Sequence, residues 1–224
     1  MIRAKQTEKK NLKPEKKIEY RNFLCSVETR EDDQHGTVIE GVPIVFNKRT
    51  DLGFCYETIE PTALDNADMK DVRFLVNHDT NDLPLARSRN NNSNSTMQLS
   101  VESDGLHIRA DLDIENNPRA KELYSAVKRG DVSGMSFMFS VNDEEWSDLD
   151  STHPVRHIRS IDKVYEVSAV TWPAYEDTSI TARSLESARA SLDSEKKALE
   201  SARKTEELRK EVIERANKLC SKRD

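Results

Sequence analysis

The chain has 224 residues, 34% of them charged and 35% hydrophobic, with a net charge of −6. That length supports one buried core with polar extensions left over, and no apolar run approaches the ~20 residues of a membrane span. Cys25, Cys55 and Cys220 are odd in number and far apart, which is neither a disulfide framework nor metal-ligand spacing and fits a reducing cytoplasm.

Charge is unevenly spread. Residues 1–17 carry a balance of +5, residues 183–224 carry +3, and the body between them carries −14. Basic ends flanking an acidic body suit solubility, and they also suit docking on an acidic surface of a partner or of this body. The N-terminal arm is basic but lacks the apolar stretch of a secretory signal. With so few apolar residues it is expected to be disordered. The natural division is therefore an arm at 1–17, a folded domain at 18–182 and a charged tail at 183–224.

Within the domain, Ile18–Val27 reads as a strand. A polar turn at residues 31–36 leads to a second strand, Thr37–Phe46, with Gly41 as its expected bulge. Residues 57–65 read as a short helical turn entered through Pro61. Val72–Val76 reads as a buried strand ending at Asn77-His78-Asp79, and the Asn-rich residues 88–96 as a loop. Met97, Leu99 and Val101 alternate, as do Leu106, Ile108, Ala110 and Leu112. Ser103-Asp104-Gly105 between them makes a hairpin.

Asn117 and Pro118 mark a helix start, Gly130 its stop, and Ala120, Leu123, Tyr124 and Val127 share its core face. The chain then enters Asp131-Val132-Ser133-Gly134-Met135-Ser136-Phe137-Met138-Phe139. Phe137, Phe139 and Val141 recur with period two, so Ser136 falls on the opposite face, expected to be exposed at the start of a rigid strand. Such a hydroxyl suits a nucleophile, although Ser-Gly-x-Ser also describes a turn serine bonding its own backbone. Asn142–Pro154 reads as an acidic loop, followed by strand through Val170. From Thr178 the composition favours one long helix, whose Leu185, Ala188, Leu192, Leu199 and Ala202 follow a heptad-like rhythm that Glu195 and Glu206 break, before Leu208, Val212 and Leu219 resume in another register.

Three ordered segments carry a resemblance. Phe74-Leu75-Val76-Asn77-His78-Asp79 with Pro84-Leu85-Ala86-Arg87 resembles the histidine segment of tailed-phage prohead (HK97-like capsid maturation) proteases. Gly134–Phe139 resembles their nucleophile segment, and Tyr165–Tyr175 the closing strand and Pro-Ala turn. The likeness implies an α+β fold, mainly an antiparallel β-barrel like that of the more distantly similar herpesvirus assembly proteases, with one core helix and a helical C-terminal extension.

It also implies a serine endopeptidase acting inside the assembling procapsid in the host cytoplasm. The substrate would be the scaffolding part of the major capsid protein, and the chain itself. Ser136 would be the nucleophile and His78 the base, and Glu166, an acidic group in an otherwise apolar strand segment, is the residue expected to orient it. His107 rivals Glu166, because the herpesvirus enzymes use a second histidine there. Arg87 would structure the histidine loop or touch substrate. No cofactor, metal, membrane or specific nucleic acid is implied, and homo-oligomerisation is left open. The alternative is a scaffolding factor that keeps the protease fold without its activity.

Overall fold

A computed structural model of the chain describes residues 18–23, 27–32, 36–171 and 178–220. The arm expected to be disordered, Cys25 and the Pro-Ala turn lie outside these residues. The described part is mixed α+β, mostly strands, in two sheets. The larger sheet runs β1 (Ile18–Phe23), β10 (Gly134–Ser147), β11 (Val155–Val170), β5 (Tyr56–Ile59), β4 (Thr50–Asp51), with β6 (Asp71–Val76) and β7 (Ala86–Arg89) branching from β11. The smaller runs β2 (Val27–Asp32), β3 (Gly36–Val45), β9 (Gly105–Leu112), β8 (Met97–Val101). The expected closed barrel is corrected here. Among the described residues strand pairing closes no ring, because β1 and β4 end one sheet, and β2 and β8 end the other.

Alternation decides which face each strand buries. Ile39 and Ile44 from β3, Leu106, Ile108 and Ala110 from β9, and Phe74 from β6 enclose one core with Met135, Phe137 and Phe139 from β10. The core side of α1 (Pro118–Arg129) joins it through Ala120, Leu123, Tyr124 and Val127. Asn117 Oδ1 accepts from the amides of Arg119 and Ala120, and Gly130 ends the helix at φ 79°, as the sequence requires. The ladder between β3 and β9 shifts register between Gly41 and Ile44, where the bulge was expected, and a 3₁₀ turn forms at Pro61–Leu64.

One expectation is revised by the hairpin of β10 and β11. Residues 142–147 are strand rather than loop, leaving only 148–154 as the connection. Their carboxylates do not break the strand because Glu144 turns to the buried Arg156 and Glu145 to Arg159. The ladder is regular at both ends and slips in the middle, between Met138 and Glu144. At the first slip Met138 faces Glu166 while Phe139 faces Val164, so Tyr165 is the extra residue of a bulge.

The tail is a single helix, α2 (Thr178–Cys220). It packs more than its composition suggests. Leu185 is buried, Arg189 donates to the carbonyl oxygens of Leu149 and Ser151, and Lys196 pairs with Asp150. The basic tail thus folds back on the acidic hairpin, at least along its first half.

Candidate functional site

Strand β6 runs parallel to the last part of β11, pairing Leu75 with Ser168 and Val76 with Ala169. Its end is bent by two successive left-handed residues, Asn77 at φ 51° and His78 at φ 59°. Such backbone costs free energy outside glycine, and here β11 holds it. Asn77 donates its N–H to the Ala169 carbonyl, while its Oδ1 accepts from Thr171 N at 2.9 Å and Oγ1 at 3.2 Å. The His78 N–H donates to Ser168 Oγ at 3.2 Å.

The turn brings the imidazole to Glu166. His78 Nδ1 hydrogen-bonds Glu166 Oε1, and Ser168 Oγ donates to Glu166 Oε2 at 2.5 Å. The glutamate side chain is 2% exposed and the imidazole 18%. A carboxylate accepting at Nδ1 selects the tautomer with its proton there, which makes Nε2 the basic nitrogen. The ring of Tyr20 from β1 stands edge-on to the imidazole, 4.9 Å between centroids.

On β10, Ser136 lies opposite Ser168 and Met138 opposite Glu166. Opposed residues share a face with Cβ atoms ~5 Å apart, so Ser136 is on the sheet face that carries Glu166 and Ser168. Phe137 and Phe139 point into the core, as alternation requires. The exposure expected of Ser136 is not found. It is fully buried between β1 and β11, and its hydroxyl donates to the Arg21 carbonyl oxygen at 2.8 Å. In this conformation the Ser136 proton is therefore directed at β1.

Behind β10 lies a buried charge cluster that sequence reading missed. Arg21 and Arg156 bind Glu19 and Glu57, with Glu144 at the edge. Burial works against the charge of both arginines. The carboxylates outweigh it, chiefly Glu57 for Arg21 and Glu19 for Arg156, and raise both pKa values above the ordinary range. Burial likewise opposes ionisation of Glu19, and the Arg156 hydrogen bond with the two positive charges holds its carboxyl below the usual value. The only sequence signal was ionisable residues in otherwise apolar strands. Ser168 was missed too, although its two-residue spacing from Glu166 places both on one face.

The other candidates lie elsewhere. His107 is on β9 of the smaller sheet, bonded to Asp104 Oδ1 at 2.8 Å. Arg87 forks onto Asp71 at 2.6 and 2.8 Å, tying β7 to β6. Burial pushes the Cys55 thiol up to about 12, which removes it as a thiolate nucleophile at neutral pH. His153 is bonded to Asp51, and His157 to Thr58 and Ser147.

A histidine backed by a buried carboxylate, on a sheet face that also bears a strand serine, is the grouping on which serine hydrolases rely. The chain belongs to the Caudovirus prohead serine protease family, whose family model matches residues 25–191. It is 29% identical over 148 residues to the prohead protease of Enterobacteria phage HK97, covering 65% of this chain and 59% of that protein. The solved capsid assembly protease of bacteriophage T4 aligns with 69% of this chain and 99% of that one, at 10% identity and a TM-score of 0.34.

Proposed function

We propose that the chain is a serine endopeptidase that cleaves the scaffolding part of a phage capsid protein, and itself, during prohead maturation. The observation that carries the reading is the buried Glu166 carboxylate bonded to His78 Nδ1 on the face that bears Ser136. Ser136 Oγ attacks the scissile carbonyl carbon as its proton passes to His78 Nε2. Collapse of the tetrahedral adduct breaks the C–N bond, and the leaving amine takes that proton. Water then enters with His78 again as base and releases the acyl group from Ser136. Attack requires the hydroxyl to turn from the Arg21 carbonyl toward the imidazole, a side-chain rotation on a strand fixed on both sides by β1 and β11.

Ser168 is a positioning residue in this scheme. One hydroxyl fixes the second oxygen of Glu166 and the backbone of His78 together. The work is done within the procapsid in the host cytoplasm, with residues 18–182 as the catalytic domain and the two basic ends serving to dock. Co-expression with the cognate capsid protein, followed by mass spectrometry of the products, tests the proposal. Cleavage that disappears in Ser136→Ala and persists in Ser133→Ala is expected. Normal assembly with no Ser136-dependent cleavage would instead make the chain a scaffolding factor.

A further inference from the structure

A cleft of about 390 Å³ opens directly beside the His78–Glu166 pair, between β6, β10, β11 and the loop after His78. Leu75, Pro84 and Met138 give it apolar walls, and Arg73, Asp82 and Glu166 supply its charges. Met138 lies two residues along β10 from Ser136, on the same face, which places the cleft about 7 Å from the nucleophile. An extended substrate advances about 3.3 Å per residue, so the cleft takes a side chain within two residues of the scissile bond.

The charges are not equally committed. Glu166 is held by His78 and Ser168, and Asp82 is paired with Arg119. Arg73 differs. Its one side-chain hydrogen bond among the described residues is Nη2 to Asp71 Oδ2 at 3.2 Å, and that carboxylate is already gripped twice by Arg87. A guanidinium carries five donors, its side chain here is 43% exposed, and it pairs across the sheet with Glu166. Arg73 is therefore the lining charge with donors to spare, in a cleft it shares with the apolar walls of Leu75, Pro84 and Met138.

We infer that this cleft is a specificity subsite for an acidic substrate side chain, glutamate above all, whose methylenes lie on Leu75 and Met138 and whose carboxylate is taken by Arg73. Glutamate fits better than aspartate because the apolar walls need a stem to cover before the guanidinium is reached. The assignment rests on the protease reading above, and the test separates the two.

The full chain is incubated with a proteome-derived peptide library and the cleavage sites are sequenced by mass spectrometry. Ser136-dependent cleavage with glutamate enriched at one position within two residues of the cut is expected. That enrichment should fall about tenfold or more in Arg73→Gln, since one charge-assisted contact is lost, persist in part in Arg73→Lys, and turn toward lysine or arginine in Arg73→Glu. Ser136-dependent cleavage with no acidic preference, or with one unchanged in these variants, overturns the subsite and leaves the protease reading standing.

A binding arm needs no turnover. Ser136→Ala protein is titrated by fluorescence anisotropy with a positional-scanning decapeptide library. Preference for glutamate that vanishes in Ser136→Ala/Arg73→Gln supports the subsite even if no cleavage is seen, and indifference to Arg73 overturns it. Arg73 is half-exposed, and circular dichroism of each variant shows that the fold is kept.

Discussion

Replacing Arg156 by methionine removes the centre of the buried charge cluster while keeping an unbranched side chain. The guanidinium is 2% exposed and donates to three carboxylates: Glu19 at 2.7 and 2.9 Å, Glu57 at 2.8 Å and Glu144 at 2.7 Å. Glu144 is 24% exposed and can turn to water, so its share of the loss is small. Glu19 and Glu57 cannot. They are left sharing Arg21, and two buried charges of each sign become two negative against one positive. Breaking a buried pair in this way costs about 3–5 kcal/mol, a large part of the 5–15 kcal/mol that holds a domain together.

Urea unfolding followed by tryptophan fluorescence reads the change as a lower midpoint at unchanged slope. Adding Glu19→Gln, which removes the stranded carboxylate, should recover at least about 1 kcal/mol. A loss below about 1 kcal/mol in Arg156→Met would refute the reasoning, since it would mean that water already screens the cluster. The same cluster sets an acid limit. Because the Glu19 carboxyl is held below its ordinary 4.5, its contribution is complete above that pH and is lost as pH falls through the folded value. Glu19→Gln should therefore flatten stability against pH below 4.5.

Glu166→Gln should lower kcat by about 10⁴ while leaving the fold intact, measured on a peptide cut in a Ser136-dependent manner. Ser168→Ala should lower kcat about ten- to hundredfold with little change in KM, and Ser168→Thr should restore part of it, because the lost contact is a hydrogen bond to a charged group. Gly130→Ala should cost about 1–2 kcal/mol in chemical denaturation, purely through the left-handed backbone, since an added Cβ would meet nothing within 4 Å. Truncation after Lys197 should leave the melting temperature within about 1 °C of the full chain, whereas truncation at Ala182 removes the Leu185, Arg189 and Lys196 contacts and should lower it measurably.

Where local chemistry decides, the sequence was readable. The capped helix ending at Gly130, the β8–β9 hairpin and the two faces of β10 follow from periodicity and from residues with one conformational use. The pairing of His78 with Glu166 took two signals, the family likeness for His78 and an acidic residue in an otherwise apolar strand for Glu166, because 88 residues separate them and no spacing rule joins a turn to a distant strand. Two readings failed for a common reason. Residues 142–147 looked like loop because their carboxylates look solvated, and the cluster of Glu19, Arg21, Glu57 and Arg156 went unseen because each charge alone reads as surface. Charges that neutralise one another across three strands leave no periodic signature in any one of them. Ser136 was expected in the open, and the neighbour that covers it, β1, could not be placed beside β10 from sequence.

The slipping middle of the β10–β11 ladder has a bearing on how such a chain can vary. Side-chain phase along a strand is binary, so in an unbroken hairpin a pairing slip of one residue would turn every later side chain over. Here the two ends of the hairpin keep separate time. The phase of Ser136, Met138, Glu166 and Ser168 is fixed by their own neighbours on β1 and β6, upstream of the slips. An odd insertion at residues 148–154 can be absorbed between Met138 and Glu144 before it reaches them. The tip that receives the tail is thus free to drift in length, while deletion of Tyr165 would remove the bulge and leave Glu166 opposite Met138.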